Sequence, residues 1–425
     1  MREWISIYKN ILYMHFSDGF YALPESAKNA VSPTNPFLRL AKLLGYTLLR
    51  LVGNIFSGVK QTENLHGKVW LYVVSQNNID SLSFIQNNLS DAAFVAGQSK
   101  DIGKYNKMVN RLSLRRKLLY YYKFFPLLLY FLQNRKKQAI RFYDVLYDAV
   151  GFYEVYLHQL QKYKPSCIVF ANDHNADARA MLLAAKQLGI KTVYVQHASV
   201  SPIFPPLAFD LNLLEGQDAL EKYKQCGPVP GKVELIGMPK ADAFVPFRKP
   251  QRSVTTIGLA CNLMDETAEI THLVTKLSQA FPELRIILRP HPRDSRNFKT
   301  DLHNNTTVEI SDSRLVQTFD FLKELDVLIS GNSGIHLEAV LLNVWAIFYN
   351  MNPSENLADY YGFIRNGLVD TAPDHPSLVK LIQENQQQTP EVYLRAQYYN
   401  ATVGIPYDGK SGQLALQHLE QFLEL

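Results

Sequence analysis

His197, His291 and the turn Gly331-Asn332-Ser333-Gly334 each stand at the end of a short apolar run, where a buried parallel strand would deliver a polar group to a sheet edge. The Gly331 to Gly334 turn opens a helix through Ile335, Leu337, Ala339, Val340 and Leu341, and glycines there let backbone N–H groups face an anion. About one helical turn past Ser333, the Glu338 carboxylate can accept from the two hydroxyls of a ribose. The same turn also reads as an ordinary strand-to-helix loop with Asn332 or Ser333 as N-cap. Arg289-Pro290-His291-Pro292-Arg293 follows the run Arg285 to Leu288; two prolines hold the histidine and two arginines make its surroundings positive, which suits a diphosphate. A surface turn with solvated arginines has the same composition. His197, after Lys191 to Val195, carries an imidazole, a group whose unperturbed pKa of ~6.5 lets it take a proton from an acceptor hydroxyl, or it serves structurally. Asp173 ends the run Cys167 to Phe170 and could orient a histidine, bind an acceptor or cap the following helix.

The elements that must place these groups alternate between strand and helix. Strands are expected at Lys68 to Ser75, around Phe94 and Val95, and at Cys167, Thr192, Asp210 to Leu214 and Val233 to Ile236. In the second half they are expected at Thr255 to Ala260, Arg285 to Leu288 and Val327 to Ile329, with another before Asn350. A helix over Asn175 to Leu188 stops at Gly189. This alternation predicts an α/β protein with parallel sheets and right-handed crossovers, and ligands outside the carboxyl ends of the strands. The proline-rich loop Gly237 to Pro250 is the expected linker, dividing residues 1–240 from residues 251–404. A terminal segment, 405–425, ends in a helix expected to cross back to the first domain.

At 425 residues and 47% hydrophobic, the chain has material for two cores. A formal net charge of +5 without a dense basic run argues against nucleic acid. Cys167, Cys226 and Cys261 lack CxxC spacing and no DxD triplet stands in a strand-end loop, so neither a disulfide framework nor a metal site is expected. Met1 to Phe20 mixes aromatic and polar residues unlike a signal peptide, which predicts a cytoplasmic chain. Residues 111–137 have an apolar, aromatic middle between Arg115, Arg116, Lys117 and Arg135, Lys136, Lys137. The middle falls short of the ~20 residues of a spanning helix and predicts peripheral contact with the inner face of a membrane, or else a buried connecting helix with basic ends. Residues 36–60 are similarly amphipathic.

Taken in order, the motifs QHASV with His197, GMPKAD from Gly237 to Asp242, RPHPR with His291, the Ser333 turn and DGKSG from Asp408 to Gly412 resemble those of CDP-glycerol glycerophosphotransferases of teichoic acid and capsule synthesis. The resemblance covers Cys167 to the C-terminus. It implies a GT-B fold, two Rossmann-like domains with a cleft between them, with a nucleotide-activated donor as substrate and no separate cofactor. It also implies that His197 is the acceptor-activating base, with His291, Ser333 and Gly334 at the donor phosphates and Gly237 and Lys240 in the donor motif set. His197-Ala198-Ser199-Val200 stands where that family usually shows His-Gly-Thr-Pro. SGIHLEA, Ser333 to Ala339, is equally similar to the donor-site helix of GT-B glycosyltransferases and UDP-GlcNAc 2-epimerases. The expected function is therefore transfer of a glycosyl or polyol-phosphate group, with CDP or CMP favoured over UDP, to a saccharide or lipid-linked acceptor. An epimerase and a non-catalytic scaffold of a polysaccharide assembly complex are the alternatives.

Overall fold

The computed structural model describes residues 2–56, 64–97, 102–298, 308–354 and 359–424, which form two compact units. The first unit comprises Met1–Leu235 together with Ala415–Leu425, and the second Ile236–Leu414. The expected linker Gly237 to Pro250 lies inside the second unit rather than ahead of it, and its side chains explain why. Met238 and Ala241 are buried in the second core, and Arg248 pairs through both guanidinium nitrogens with Asp408 at 2.7 and 3.0 Å.

The first unit contains a parallel sheet of β1 (Val69–Tyr72), β2 (Ala92–Gly97), β3 (Asn110–Leu112), β4 (Cys167–Phe170), β5 (Lys191–Val195), β6 (Leu211–Leu214) and β7 (Lys232–Leu235). The spatial order is β3-β2-β1-β4-β5-β6-β7. β1, β2, β4 and β6 are buried along their whole length, as near-continuous apolar runs require when helices cover both faces of a parallel sheet. Asn175 caps the helix Ala176–Gln187 by accepting from Ala178 N at 2.8 Å, and Gly189 ends it at φ +68.

The stretch expected as basic aromatic helices is broken into pieces. β3 is followed by a 3-10 helix, Arg115–Lys123, and by α-helices Phe124–Asn134 and Lys136–Arg141. Lys117 is fully buried and donates to the Asp148 carbonyl; burial lowers its ammonium to about 7. Of the amphipathic stretch 36–60, the helix Pro36–Phe56 is seen, and 57–60 lie outside the described residues.

The second unit carries β8 (Thr256–Cys261), β9 (Arg285–Pro290), β10 (Val308–Ile310), β11 (Val327–Ser330), β12 (Trp345–Tyr349) and β13 (Asp370–Ala372), in spatial order β10-β9-β8-β11-β12-β13 and all parallel. Asp326 ties the start of β11 to β8, accepting from Thr255 N at 2.8 Å and Thr256 N at 3.0 Å. In each sheet the chain winds outward on one side and then on the other. The reversal falls between β1 and β4 in the first sheet and between β8 and β11 in the second, and such switch points are where an open α/β sheet leaves a crevice for a ligand.

Candidate functional site

At the switch point of the second sheet, β11 ends in Ser330 and the turn Gly331 to Gly334 leads into the helix Ile335–Leu341. Neither Asn332 nor Ser333 is the N-cap. Gly334 holds that position without a side-chain bond, while Ser333 Oγ accepts only a long contact, 3.5 Å, from Ile335 N. The turn is held from beneath by His336, which sequence reasoning passed over as part of the apolar helix. His336 is buried, its Nε2 lies 3.0 Å from the Gly331 carbonyl and 3.2 Å from that of Ser330, and burial lowers its pKa to about 4. The ring is therefore neutral at physiological pH, with its proton on Nε2 donated to those carbonyls. Asn332, Ser333 and Gly334 are half-buried, and the Tyr361 hydroxyl bonds the Gly334 backbone.

Asp265, also missed, follows β8 across the switch point. Its Oδ2 accepts from Asn262 N at 2.7 Å, and a Cβ on Gly331 would come within 3.1 Å of its Oδ1, so only glycine lets the two loops meet without displacement. Burial raises the Asp265 carboxyl to about 6, against the Asn262 N–H and the Arg296 charge. The available signal was its position a few residues beyond a buried strand.

Glu338 does not stand open. Its Oε1 receives Lys240 Nζ at 2.7 Å, which brings GMPKAD onto the helix that follows the turn. The rest of that motif meets DGKSG. Asp242 accepts from Ser411 N at 2.9 Å and Gly412 N at 2.7 Å, giving the terminal helix a carboxylate at its N-terminus. Gly237 sits at φ +76, where a Cβ would collide with Thr402 Oγ1, Ser411 Oγ and Asn400 Oδ1. Gly237 thus serves close backbone approach, and Lys240 is the residue of this motif that reaches the switch point.

The RPHPR residues divide. Arg289 is buried beneath the sheet edge, donating to Ser311 Oγ at 3.0 Å and to the Val316 carbonyl at 2.7 Å, with its guanidinium 5.0 Å over the Phe321 ring. It braces the loop instead of presenting its fork to a ligand. Arg293 is exposed. His291 Nδ1 accepts from Arg293 N at 3.1 Å, so the neutral ring carries its proton on Nε2; burial, with Arg293 adding to it, lowers its pKa. His291 lines a pocket of about 250 Å³ with Asp294, Arg296, Ser311 and Arg314. The pocket lies on the β10 side of the histidine, whereas the glycine turn lies beyond β8 on the other side.

In the first unit, Asp173 and His174 follow β4 at the switch point and His197 follows the neighbouring β5. Asp173 does not cap the helix; Asn175 does. Asp173 is fully buried against Arg179, 3.4 Å away, and burial pushes its carboxyl up to about 6 despite that charge. His174 stacks on Phe204 at 4.4 Å, and burial lowers its pKa to about 4. His197 is half-buried, and its loop is pinned by Gln196, which accepts from Glu215 N at 2.8 Å and donates to the Ala198 carbonyl at 3.1 Å. Among the described residues, no cluster of three His, Cys, Asp or Glu side chains could hold a metal.

No protein-family model matches the chain, and no curated protein matches it in sequence. Solved structures do. The UDP-GlcNAc 2-epimerase from Neisseria meningitidis bound to UDP-GlcNAc superposes with a TM-score of 0.52 at 11% identity, covering 83% of this chain and 100% of that one. A second UDP-N-acetylglucosamine 2-epimerase gives 0.53 at 11% identity over 83% and 95%. The wall teichoic acid polymerase TagF gives 0.51 at 10% identity over 91% and 98%. The chain shares the GT-B-type fold of these proteins, with two Rossmann-like parallel sheets.

Proposed function

We propose that this protein is a transferase of surface-polysaccharide or teichoic-acid type, moving a glycosyl or polyol-phosphate group from a nucleotide-activated donor to an acceptor hydroxyl. The observation that carries the reading is the convergence of the glycine turn, Glu338 and Lys240 at the switch point of the second sheet. A nucleotide bound there places its ribose hydroxyls on Glu338, and Lys240, released from that carboxylate, turns to the donor phosphates. His291 donates from Nε2 to a phosphate oxygen, and the turn at Ser333 and Gly334 supplies peptide dipoles. Arg293, exposed on the same loop, adds positive charge, and Arg289 holds the loop in place.

In the first unit, His197 takes the proton of the acceptor hydroxyl. The hydroxyl oxygen bonds to the transferred carbon or phosphorus, the bond to the nucleotide phosphate breaks, and the electron pair leaves with that phosphate. Asp173 fits acceptor binding better than catalysis by contact with His197, because its carboxylate pairs with Arg179. The preference for CDP or CMP over UDP, the saccharide or lipid-linked acceptor and a peripheral membrane contact through 111–137 belong to the same proposal. The resemblance of the motifs to glycerophosphotransferases and the fold shared with a teichoic acid polymerase support it.

A thermal-shift titration with CDP, CMP, UDP, GDP and ADP tests the donor, since a ligand bound only to the native state stabilises it by RT ln(1 + [L]/Kd). Stabilisation by CDP or CMP alone is expected. An equal fold likeness to UDP-GlcNAc 2-epimerases favours a second reading; stabilisation by UDP, with a rearranged sugar released without any acceptor, would establish it. No response to any nucleotide would leave the scaffold reading standing.

A further inference from the structure

The helix Pro36–Phe56 is folded with its polarity reversed. A surface helix ordinarily turns its apolar stripe to the protein and its charges to water. Here the face turned to the protein holds the buried Arg39 and Arg50 and the half-buried Lys42 and Thr47, with Leu43 and Tyr46 half-buried between them. Arg39 is 7% exposed and donates to the carbonyls of Ile140 at 2.6 Å and Arg141 at 2.8 Å. Lys42 reaches the Val31 carbonyl at 2.9 Å and Asp144 at 3.0 Å. Thr47 Oγ1 lies 2.6 Å from the Tyr147 hydroxyl, and Arg50, 2% exposed, pairs with Asp148 at 3.4 Å. The opposite stripe, Phe37, Leu40, Leu44, Leu48, Leu51 and Val52, repeats at helical spacing and is exposed, Phe37 by 79% and Leu44 by 65%.

Beside it runs a second exposed row. The 3-10 helix Arg115–Lys123, which packs against Pro36–Phe56, and the helix Phe124–Asn134 present Leu119, Tyr122, Phe125 and Leu129 outward. Exposed cations bracket this row, Arg115 and Arg116 at one end and Arg135, Lys136 and Lys137 at the other, with Arg135 also paired to Asp18. An apolar surface of this extent on one side of a unit marks a partner. A second copy of the chain would bring the same cations against themselves across a two-fold contact. An anionic lipid surface meets both features, with acyl chains for the leucines and phosphates for the cations. No described helix is long and apolar enough to cross a membrane, and three cations, the buried Arg39 and Arg50 and the half-buried Lys42, tie this one to its own protein.

We propose that Pro36–Phe56 lies in the plane of an anionic bilayer, its leucine face sunk into the headgroup boundary and its arginine face carrying the unit. The proposal deepens the contact read for 111–137 and is independent of the donor chemistry, so the nucleotide titration and the experiment below fail separately.

The test is flotation of the full chain with vesicles of roughly 3:1 phosphatidylcholine to phosphatidylglycerol, against phosphatidylcholine alone. Binding to the mixed vesicles is expected, weakened by salt. The double variant L44E/L48E should lower the partition coefficient on the order of tenfold or more while leaving the circular dichroism unchanged, because both side chains face outward. Binding that survives L44E/L48E but is lost in F125E/L129E would overturn the assignment to this helix. Absence of binding to either vesicle, or self-association abolished by L44E/L48E, would overturn it altogether.

Discussion

The two switch points share a topology and differ in electrostatics. After β4 the first unit presents Asp173, fully buried and pushed up to about 6, beside His174, whose pKa burial lowers to about 4. His15, buried and close enough to feel the His174 charge, is lowered to about 4 as well. After β11 the second unit presents a glycine turn, a partly open Lys240–Glu338 pair and peptide groups held by a neutral His336. Low dielectric around the first suits proton handling at a neutral hydroxyl. Backbone dipoles and an exchangeable ion pair around the second suit a ligand that carries its own charge. One strand order thus carries two different electrostatic settings, because the crevice is set by topology and its character by a few loop residues.

The largest expected effect sharpens that division. His197→Ala should lower turnover by about 100- to 10,000-fold, the range for loss of a general base, while the nucleotide-induced rise in Tm stays intact. Equal loss of nucleotide binding would erase the division of labour between the units. Next in size, Gly237→Val forces a branched side chain into a positive-φ position already filled by Thr402 and Ser411, and should cost about 2–4 kcal/mol in urea denaturation. An unchanged midpoint would mean that GMPKAD and DGKSG do not clasp.

Smaller again, Glu338→Gln removes the charge that Lys240 holds and should weaken nucleotide binding about tenfold, roughly 1.4 kcal/mol, by calorimetric titration. Tighter binding instead would show that the pair excludes the donor and that the free carboxylate opposes its phosphates.

Acid should act with opposite signs on the buried histidines and the buried carboxylates of both units. His15, His174 and His336 fold with pKa values near 4 against an ordinary 6.5, so the unfolded chain takes up protons first and stability falls as pH drops from about 6.5 to 4. Asp173 and Asp265, raised to about 6, protonate first in the folded state and oppose that loss from about pH 6 down to 4. The first unit holds two of the histidines, so His15→Leu should flatten its acid limb, read as Tm against pH.

Much of this architecture was legible because buried parallel strands must be apolar along their length. Cys167 to Phe170 and Val327 to Ser330 match their expected positions for that reason. The strands that were not foreseen, β3, β10 and β13, are three-residue edges with polar positions, so neither length nor burial marks them. Gly189 stopping its helix follows from local backbone preference, and local preference survives folding. The same local logic misassigned the cap at Asn332 or Ser333, because the turn answers to His336 and Asp265, which reach it through space.

The sequence by itself determined the alternation of elements, the parallel sheets and which loops carry polar groups, since periodicity and turn chemistry are short-range properties. Only the tertiary structure decided which of those groups remain available. Arg289 turned inward to Ser311 and Val316, Gly237 vanished under Thr402, Lys240 crossed to Glu338, and the leucine stripe of an amphipathic helix faced outward. Each depends on partners roughly 20 to 165 residues away in the chain, and a hydrogen bond or a buried contact has no signature in the local pattern of either partner.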